Sequence, residues 1–455
     1  MNHTPLLPRQ PSWRCMHRIA SAAALACLAC LVWVGLGTLA PAAAQAQAQA
    51  LQAVLPPWLP PAEAVTQVLA QQPQVKAAAA GNALAQARNQ RLRAGPHDWV
   101  AKAAANQRSE RQGARFAEAE MALETAVRWP GKVAVDRKLG EAEVTLGELA
   151  LADAWHEAAR GLLTAWFEAL RDVRSAAVLQ AQAQIAQRQL LTTERRVRAE
   201  EAAQLELLAA QAEAARIEAL AARAQGQAQL RLQALRRLYP GLPEPPDAPP
   251  SSPAPTEPDT PAVATWDTAH WSAQILADNH ELELAQAKAE QSRLQARRSA
   301  LEQRADPTVG VRASRERSGQ EHVLGVYVSI PLGQAGRRAD AQAALAQADM
   351  AEQELAHKRA RIEAEAWRTA AEVDQARRTR LQLQRAQAKI SRSAALQARA
   401  YALGESPLAD LLLAQRNALE AQLAADGAVL DEMQAHARLL LDSHQLWQAP
   451  GAHGH

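Results

Sequence analysis

The hydrophobic and polar positions of this chain follow a helical period over most of its length. Apolar residues recur every three or four positions between Arg, Glu and Gln, which predicts amphipathic helices. The longest predicted helices have about sixty-five residues, and at ~1.5 Å per residue each would be roughly 95 Å long. Helices of that length are typical of coiled coils and bundles. The predicted helices are Glu63–Ala94, Val133–Arg198, Ala203–Leu238, Thr268–Arg304, Arg337–Leu403 and Leu408–Leu446.

The core of these helices is predicted to be small. In Arg337–Leu403, small and aliphatic residues follow heptad-like spacing, which allows close helix approach. These residues are Leu345, Ala348, Leu355, Ile362, Ala366 and Val373. A cytosolic coiled coil would have the same seam, but the strands and the N-terminal segment described next argue against that alternative.

Four short stretches alternate with period two and are predicted strands. They are Met121–Trp129, Val309–Ser314, Leu324–Ile330 and a weaker one, His97–Ala105. A strand of about 9–11 residues crosses a bilayer when it is tilted. A soluble hairpin with one buried face has the same alternation. We favour the membrane because the chain offers no other core for the strands to cover.

Four strands cannot close a barrel, and an open sheet cannot lie in lipid. Sharing one barrel among three chains, with twelve strands, solves both problems. The polar face of the strands would then line a wet lumen, and the polar loops Gln107–Arg115 and Arg315–Glu321 would be exposed. The predicted lumen residues are Glu120, Glu124, Arg128, Arg312 and Tyr327. The strand-to-helix turns are predicted at Pro130, Gly131, Pro331 and Gly333, because proline ends strand pairing and glycine allows a bend.

A proline-rich connector divides the chain into two similar halves. Ten prolines lie between Pro240 and Pro261, so this stretch cannot be helical. Matched landmarks recur in the same order on both sides, which predicts two internal repeats. The matched pairs are Val68–Val75 with Ile275–Leu282, Trp129–Lys132 with Ile330–Gly333, and Glu200–Gln211 with Gly404–Gln415. The predicted boundaries are 45–239 for the first helix–hairpin–helix repeat, 240–262 for the connector, 263–447 for the second repeat and 448–455 for a disordered tail.

The N-terminal segment has the features of a signal peptide. Arg9, Arg14 and Arg18 precede an apolar run, and small residues follow it, so we expect cleavage near Ala44. A transmembrane helix is the alternative for this run. Lipidation of a cysteine in it, at Cys27 or Cys30, is a minor one. Loss of residues 1–44 removes three of 50 basic residues, leaving 47 against 48 acidic residues and a net charge of −1.

Composition excludes several classes of function. A chain so close to neutral lacks the concentrated basic face that nucleic acid requires. All three cysteines lie in the predicted signal peptide, so the mature chain has no disulfide or thiolate metal site. No phosphate-binding glycine loop or nucleophile elbow is present, and no two of the histidines from His97 to His444 have metal-ligand spacing on one helix turn. His453 and His455 could bind a metal, but a loose tail is the favoured interpretation. We therefore predict no enzyme activity, no cofactor and no resident metal.

Taken together, these residues resemble the TolC-type outer-membrane efflux family, and within it the heavy-metal and cation branch. The resemblance rests on the repeats, the WPGK and IPLG strand ends, and the motif YALGESPLADLL at Tyr401–Leu412. It implies a mainly α protein with a pair of β-hairpins, assembled as a homotrimer with a shared twelve-strand barrel in outer-membrane lipid and long helices in the periplasm. The helical tips would dock on a periplasmic adaptor, which couples the duct to an inner-membrane pump.

The resemblance also implies a gate and a docking surface at the helical tips. Asp410 falls on the family's acidic position at the periplasmic entrance, where three carboxylates would attract cations, and Glu206 is its counterpart in the first half. Alternatively, Asp410 is merely an acid near a helix N-terminus, where acids are favoured. Leu413 stands where the family can carry a second aspartate. The implied docking residues are Tyr401, Gly404, Glu405, Glu200 and Glu201, with Gly404 suited to φ > 0 and Glu200 in the equivalent place.

Other functions are compatible with parts of this pattern. The same channel could export drugs or a secreted polypeptide. A periplasmic adaptor or structural coiled-coil protein also has helical hairpins, but its β domain would be contiguous. Here the strands are divided between the two halves, which favours the duct.

Overall fold

The computed structural model describes residues 58–111, 113–246 and 266–448. The predicted signal peptide, residues 247–265 around the end of the connector, and residues 449–455 of the predicted tail lie outside the described residues. The chain divides into two compact units, Met1–Ala62 and Glu63–His455. The elements below belong to the second unit, apart from the first residue of the first helix.

The two halves contain the same order of elements. The first half has α1 (Ala62–Gln71), α2 (Pro73–Ala94), β1 (Val100–Ser109), β2 (Arg115–Ala126), α3 (Pro130–Arg198) and α4 (Gln204–Leu238). The second half has α5 (Thr268–Ala277), α6 (His280–Glu302), β3 (Thr308–Glu316), β4 (Glu321–Ser329), α7 (Ala335–Ala402) and α8 (Leu408–Asp442). None of the described helices is both long enough and apolar enough to cross a membrane.

The first helix of each half is broken, where the sequence predicted one continuous helix. Gln72 is extended, with φ −61° and ψ 133°, and Pro73 begins α2. Proline disfavours the helical conformation of the residue before it, which explains this break. In the second half the side chain of Asn279 accepts a hydrogen bond from the Leu282 amide at 2.9 Å and caps α6.

The long helices agree closely with prediction, but the seam of α7 does not follow the predicted heptad throughout. Ala348, Ile362, Ala366 and Val373 are buried. Leu345 is 59% exposed, and Ala344 is buried beside it. The buried stripe therefore runs one position earlier at this end of α7, and a small residue occupies it. In α3 the core widens, and its fully buried apolar side chains include Leu162, Leu163, Trp166, Phe167 and Leu170.

The four strands form one antiparallel sheet in the order β1-β2-β3-β4. The two hairpins, which come from different halves of the chain, are joined by pairing of β2 with β3 from Ala119↔Arg315 to Ala126↔Thr308. The hairpin turns are shorter than predicted because β1 continues to Ser109 and β2 already begins at Arg115. Pairing of Ser109 with Arg115 leaves only 110–114 as the first turn.

Candidate functional site

One face of the sheet is apolar and exposed. The register aligns Leu123, Val311 and Val326 across three strands, and Met121, Ala313 and Leu324 in the neighbouring row. Met121 is 70% exposed, and Leu324 and Val326 are each 85% exposed. A contiguous apolar surface of this kind marks a site of contact with lipid or another protein.

The opposite face carries paired charges. Lys102 Nζ lies 2.6 Å from Glu124 Oε1, and the Tyr327 hydroxyl donates a hydrogen bond to the same carboxylate. Nearer the turns, Arg108 Nε lies 3.0 Å from Glu118 Oε1. Four of the five predicted lumen residues, which are Glu120, Glu124, Arg312 and Tyr327, share this face by register.

Tyr327 depends on the residue opposite it. Gly310 pairs with Tyr327 across β3 and β4. A Cβ built on Gly310 would lie 2.5 Å from the Tyr327 ring, so a side chain there would displace the ring from Glu124. Lys102 and Arg108, the charged residues that β1 contributes to this face, were not predicted as lumen residues. The many alanines of β1 make its alternation of polar and apolar residues hard to recognise.

Arg128 lies at the junction between sheet and helices rather than on the charged face of the sheet. It follows the end of β2 by two residues, and its guanidinium donates to the carbonyls of Leu92 and Arg93 at 3.0 and 3.1 Å. These are the free carbonyls at the end of α2, where a cation is favoured. Arg128 also pairs with Asp136 at 2.7 Å.

A buried lysine joins this junction to the end of α6 and the start of β3 in the second half. Lys132 is 1% exposed, and its Nζ lies 2.8 Å from both Glu302 and Asp306. Asp306 also lies 3.0 Å from His97 Nε2. Burial alone would raise the pKa of the Asp306 carboxyl, but hydrogen bonds from Lys132 and His97 outweigh it and lower the pKa. Lys132 therefore holds the α6–β3 end against the start of α3.

The predicted turn residues lie at the two strand-to-helix junctions, β2–α3 and β4–α7. Pro130 is the first residue of α3, where its missing N–H is tolerated. Gly131 packs near Leu301. Pro331 precedes α7 by several residues, and Gly333 provides the bend with φ +109°. The second junction therefore turns in an extended linker, whereas the first turns directly into its helix.

Each pair of long helices ends in a tip of five residues, and both tips have the same backbone hydrogen bonds. In the second tip (Leu403–Pro407), the Gly404 amide donates to Tyr401 O at 3.0 Å and the Glu405 amide to Ala400 O at 2.9 Å. This pair of bonds, with φ +77° at Gly404, is a Schellman motif.

In the first tip (Ala199–Ala203), the Glu200 amide donates to Val197 O at 3.0 Å and the Glu201 amide to Arg196 O at 2.8 Å. Glu200 has φ +62°. The first tip thus keeps the backbone of the second although a glutamate stands in the glycine position.

The predicted tip residues differ in exposure. Gly404, Glu405 and Asp410 are exposed, and Glu200 and Glu201 are exposed as well. Glu206 is half-buried in the first turn of α4, whereas Asp410 lies in the first turn of α8. Tyr401 is buried at 8% exposure, against Leu408, Leu411 and Leu412. Tyr401 is therefore part of the hydrophobic core that supports the second tip.

A buried carboxylate, that of Glu213, connects α4 with α8 beyond the two tips. Glu213 of α4 accepts hydrogen bonds from Arg216 at 2.7 Å and from Arg416 of α8 at 2.9 Å. Burial would raise the pKa of Glu213, but the bonds from the two arginines prevail and lower it. The described residues contain no group of three or more His, Cys, Asp or Glu side chains arranged to hold a metal ion.

Comparison with known proteins gives structural matches only. No protein-family model and no curated protein matches the sequence. The Campylobacter jejuni outer membrane channel CmeC matches with a TM-score of 0.68 at 13% identity, over 85% of this chain and 86% of CmeC. The outer membrane protein VceC of Vibrio cholerae matches with a TM-score of 0.64 at 17% identity, over 85% and 95% of the two chains.

CusC, whose crystal structures concern folding and transmembrane channel formation, matches with a TM-score of 0.61 at 14% identity, over 84% and 91% of the two chains. This chain has the fold of the outer-membrane channels. The predicted resemblance to TolC-type channels is confirmed at the level of the fold. Within this channel fold, the trimer, the twelve-strand barrel and the roles of the tip residues stay predictions.

Proposed function

We propose that this protein is the outer-membrane component of a tripartite efflux system, a passive duct that docks on a periplasmic adaptor and an inner-membrane pump. Three copies would share a twelve-strand barrel in outer-membrane lipid, with the helices extending into the periplasm. The two halves would be diverged copies of one helix–hairpin–helix unit. The duct would catalyse no reaction, because transport would be driven by the pump.

The two faces of the sheet are the observation that carries this proposal. One face is apolar and exposed at Met121, Leu324 and Val326. The opposite face bears paired charges such as Lys102 and Glu124. Apolar outside and polar inside is the pattern of a membrane barrel with a water-filled lumen.

The sheet edges support a barrel shared between chains. Among the described residues, β1 and β4 each pair with one strand only. Their free N–H and C=O groups cannot be left unpaired in lipid. Pairing of β4 in one copy with β1 in the next would satisfy both edges and would close the barrel.

Metal cations are the cargo that we propose. The support is the likeness of the YALGESPLADLL motif to the cation branch and the exposed carboxylate of Asp410 at the second tip. Three such carboxylates around one axis would attract cations at the entrance. Glu206 would contribute from the first tip.

The first test is the mass of the protein, corrected for detergent, after separation of inner from outer membranes. The proposal predicts a trimer in the outer-membrane fraction. A soluble periplasmic monomer or dimer would refute the duct and would favour a coiled-coil adaptor.

A pair of variants in β4 tests the assignment of the two faces. Leu324→Arg puts a charge on the apolar face, where it would cost about 2–4 kcal/mol at mid-bilayer. Val323→Arg is the matched control, since Val323 pairs with Ser314 on the charged face. We expect only Leu324→Arg to reduce the outer-membrane trimer. Equal loss with both variants would remove the lipid-facing role of Leu324.

A further inference from the structure

Three histidines that are distant in sequence meet where the chain leaves α8. His156 lies on α3, His280 is the first residue of α6, and His444 follows the end of α8 by two residues. The ring centroids of His280 and His444 are 4.6 Å apart, and those of His156 and His444 are 5.2 Å apart. The third pair, His156 and His280, is separated by 6.5 Å.

His444 belongs to a folded segment, Ser443–Gln448, that packs back onto α3. The indole of Trp155 donates to the carbonyl of Trp447 at 3.0 Å, and Leu446 and Trp447 are buried. The amides of Gln445 and Leu446 donate to Leu440 O at 2.8 and 3.1 Å. His444 itself has φ +57°, so it ends α8 in a left-handed conformation.

The three histidines differ in their partners. His156 Nε2 lies 3.1 Å from Asp442 Oδ1, which also accepts from Arg160 at 3.0 Å. His280 Nδ1 lies 3.4 Å from Glu283. His444 instead faces the backbone at Asp278. Two of the rings therefore have a carboxylate as a direct partner, whereas the ring of His444 is hydrogen-bonded to the backbone of Asp278.

Other charged groups surround the cluster on each helix packed against it. Arg438 of α8 binds the second oxygen of Asp442 at 2.7 Å and lies 3.5 Å from Glu365 of α7. Glu281 of α6 is held by Lys358, at 3.1 Å, and by Arg361 of α7. On α3, the remaining groups are Asp153 and Glu157.

We propose that His156, His280 and His444 form an acid-sensitive latch that holds Ser443–Gln448 on α3 at neutral pH and releases it on mild acidification. At ring separations of 4.6 to 6.5 Å, positive charges on the three imidazoles repel one another strongly. In acid that repulsion is relieved when His444 moves away from the other two rings. Release therefore frees the whole segment from the Trp155 contact.

The direction of the pH effect follows from His444. Burial lowers the pKa of His444, and the charges of His280 and His156 lower it further, while Asp278 opposes them in part. The released segment would bind a proton more readily than the latched one. The latched state is therefore fully favoured above the ordinary histidine pKa of about 6.5 and loses stability as the pH falls below it.

Hydrogen–deuterium exchange of the full-length protein in detergent, at pH 7.5 and pH 5.5 and corrected for intrinsic exchange, tests the latch. The amides of residues 443–446 report on whether the segment stays folded at the end of α8, since each donates a hydrogen bond to a carbonyl of Leu439, Leu440 or Leu441. We expect their protection to fall about tenfold at pH 5.5, because repulsion between cations this close exceeds the energy of a tenfold change. Equal protection at both values would overturn the proposal.

The variant His444→Asn removes the titrating ring and keeps a residue that tolerates φ > 0. It should keep its protection at pH 5.5. His357→Asn, an exposed histidine of α7, is the matched control and should respond to pH as the wild type does. Loss of protection in His444→Asn at acid pH, to the wild-type extent, would contradict the latch.

Two further variants keep the test decisive. Burial raises the pKa of the Asp153 carboxyl, and the negative charges of Glu157 and Glu281 raise it further, so this carboxyl could also titrate. If Asp153→Asn alone abolished the pH response, Asp153 would be the switch and the proposal would fail.

If His444→Asn did not fold, His280→Gln would replace it. Removing one neighbouring cation should move release to lower pH, and an unchanged midpoint would refute the latch.

Discussion

The two helical tips have the same backbone and different packing. Each has five residues between its helices, a left-handed residue in the second position, and the same two backbone hydrogen bonds. That residue is Gly404 in one tip and Glu200 in the other, although a non-glycine residue costs about 1–2 kcal/mol in this conformation. The comparison teaches that two helices can end in the same way whether glycine or glutamate occupies the left-handed position.

The side chains that follow divide the tips into an inner and an outer one. Beside the second tip, Leu408, Leu411 and Leu412 of α8 are buried around Tyr401. Beside the first tip, Leu205 of α4 is 76% exposed and Leu208 is 55% exposed. Arg196 lies over the Tyr401 ring at 5.1 Å from its centroid, so the first tip packs on the second. Leucines are exposed at both ends, since Leu403 is 65% exposed and Leu413 is 57% exposed beside the second tip. Both surfaces suit the proposed docking of an adaptor.

The largest expected effect comes from removing the core of the second tip. Leu411 is 2% exposed, and Leu411→Ala should destabilise the tip by about 2–5 kcal/mol through lost burial and a cavity. Leu207→Ala, at the equivalent half-buried position of α4, should cost less. Exchange of the tip amides measures both free energies of opening. Equal losses would mean that neither tip is the inner one.

The next effect comes from the ion pair that connects the tips. Glu213→Gln replaces the carboxylate that accepts from two arginines with a neutral amide and should cost about 1–3 kcal/mol at pH 7. Because the folded-state pKa of Glu213 is lowered, its contribution is present above the ordinary Glu value of about 4.3 and is lost as the pH falls through the folded-state value.

The measurement for Glu213 is unfolding monitored from pH 7 to pH 2. The variant should be less stable at pH 7 and should approach the wild type in acid. Glu218→Gln, an exposed glutamate of the same helix, should keep the wild-type curve. A constant difference between Glu213→Gln and wild type at every pH would rule out the charge as the cause.

A smaller pair of effects should have opposite signs in the two tips. A Cβ at Gly404 meets nothing within 4 Å, so Gly404→Ala should cost about 1–2 kcal/mol from backbone strain alone. Glu200→Gly should stabilise the first tip by up to about 1 kcal/mol, after the entropy of glycine is subtracted. Local exchange of the two Schellman amides measures both. A loss in both variants would show that Glu200 makes a contact that offsets its strain.

How much of the structure could be predicted from the sequence depended on whether a feature is set by neighbouring residues or by residues far apart in the chain. The long helices and the left-handed Gly404 follow from local spacing, and they were predicted. Lys132 pairs with residues in the other half of the chain, and its role depends on β2–β3 pairing that no local pattern contains. The breaks of the first helix in each half were both missed, one at Gln72 although Pro73 follows it, and one at Asn279.

The smallest effect on stability should come from Asp410, and it carries the clearest test of function. Asp410 is exposed and Glu206 is half-buried at the matching position, so loss of either carboxylate should change stability by no more than about 0.5 kcal/mol. If three copies surround the entrance, Asp410→Ala should conduct more and lose cation preference in a planar bilayer, whereas Glu206→Ala should change selectivity less. Asp410→Glu keeps the charge and should keep the preference. Unchanged selectivity in Asp410→Ala would leave this carboxylate as a helix N-terminal acid and would shift the search for the gate to the first tip.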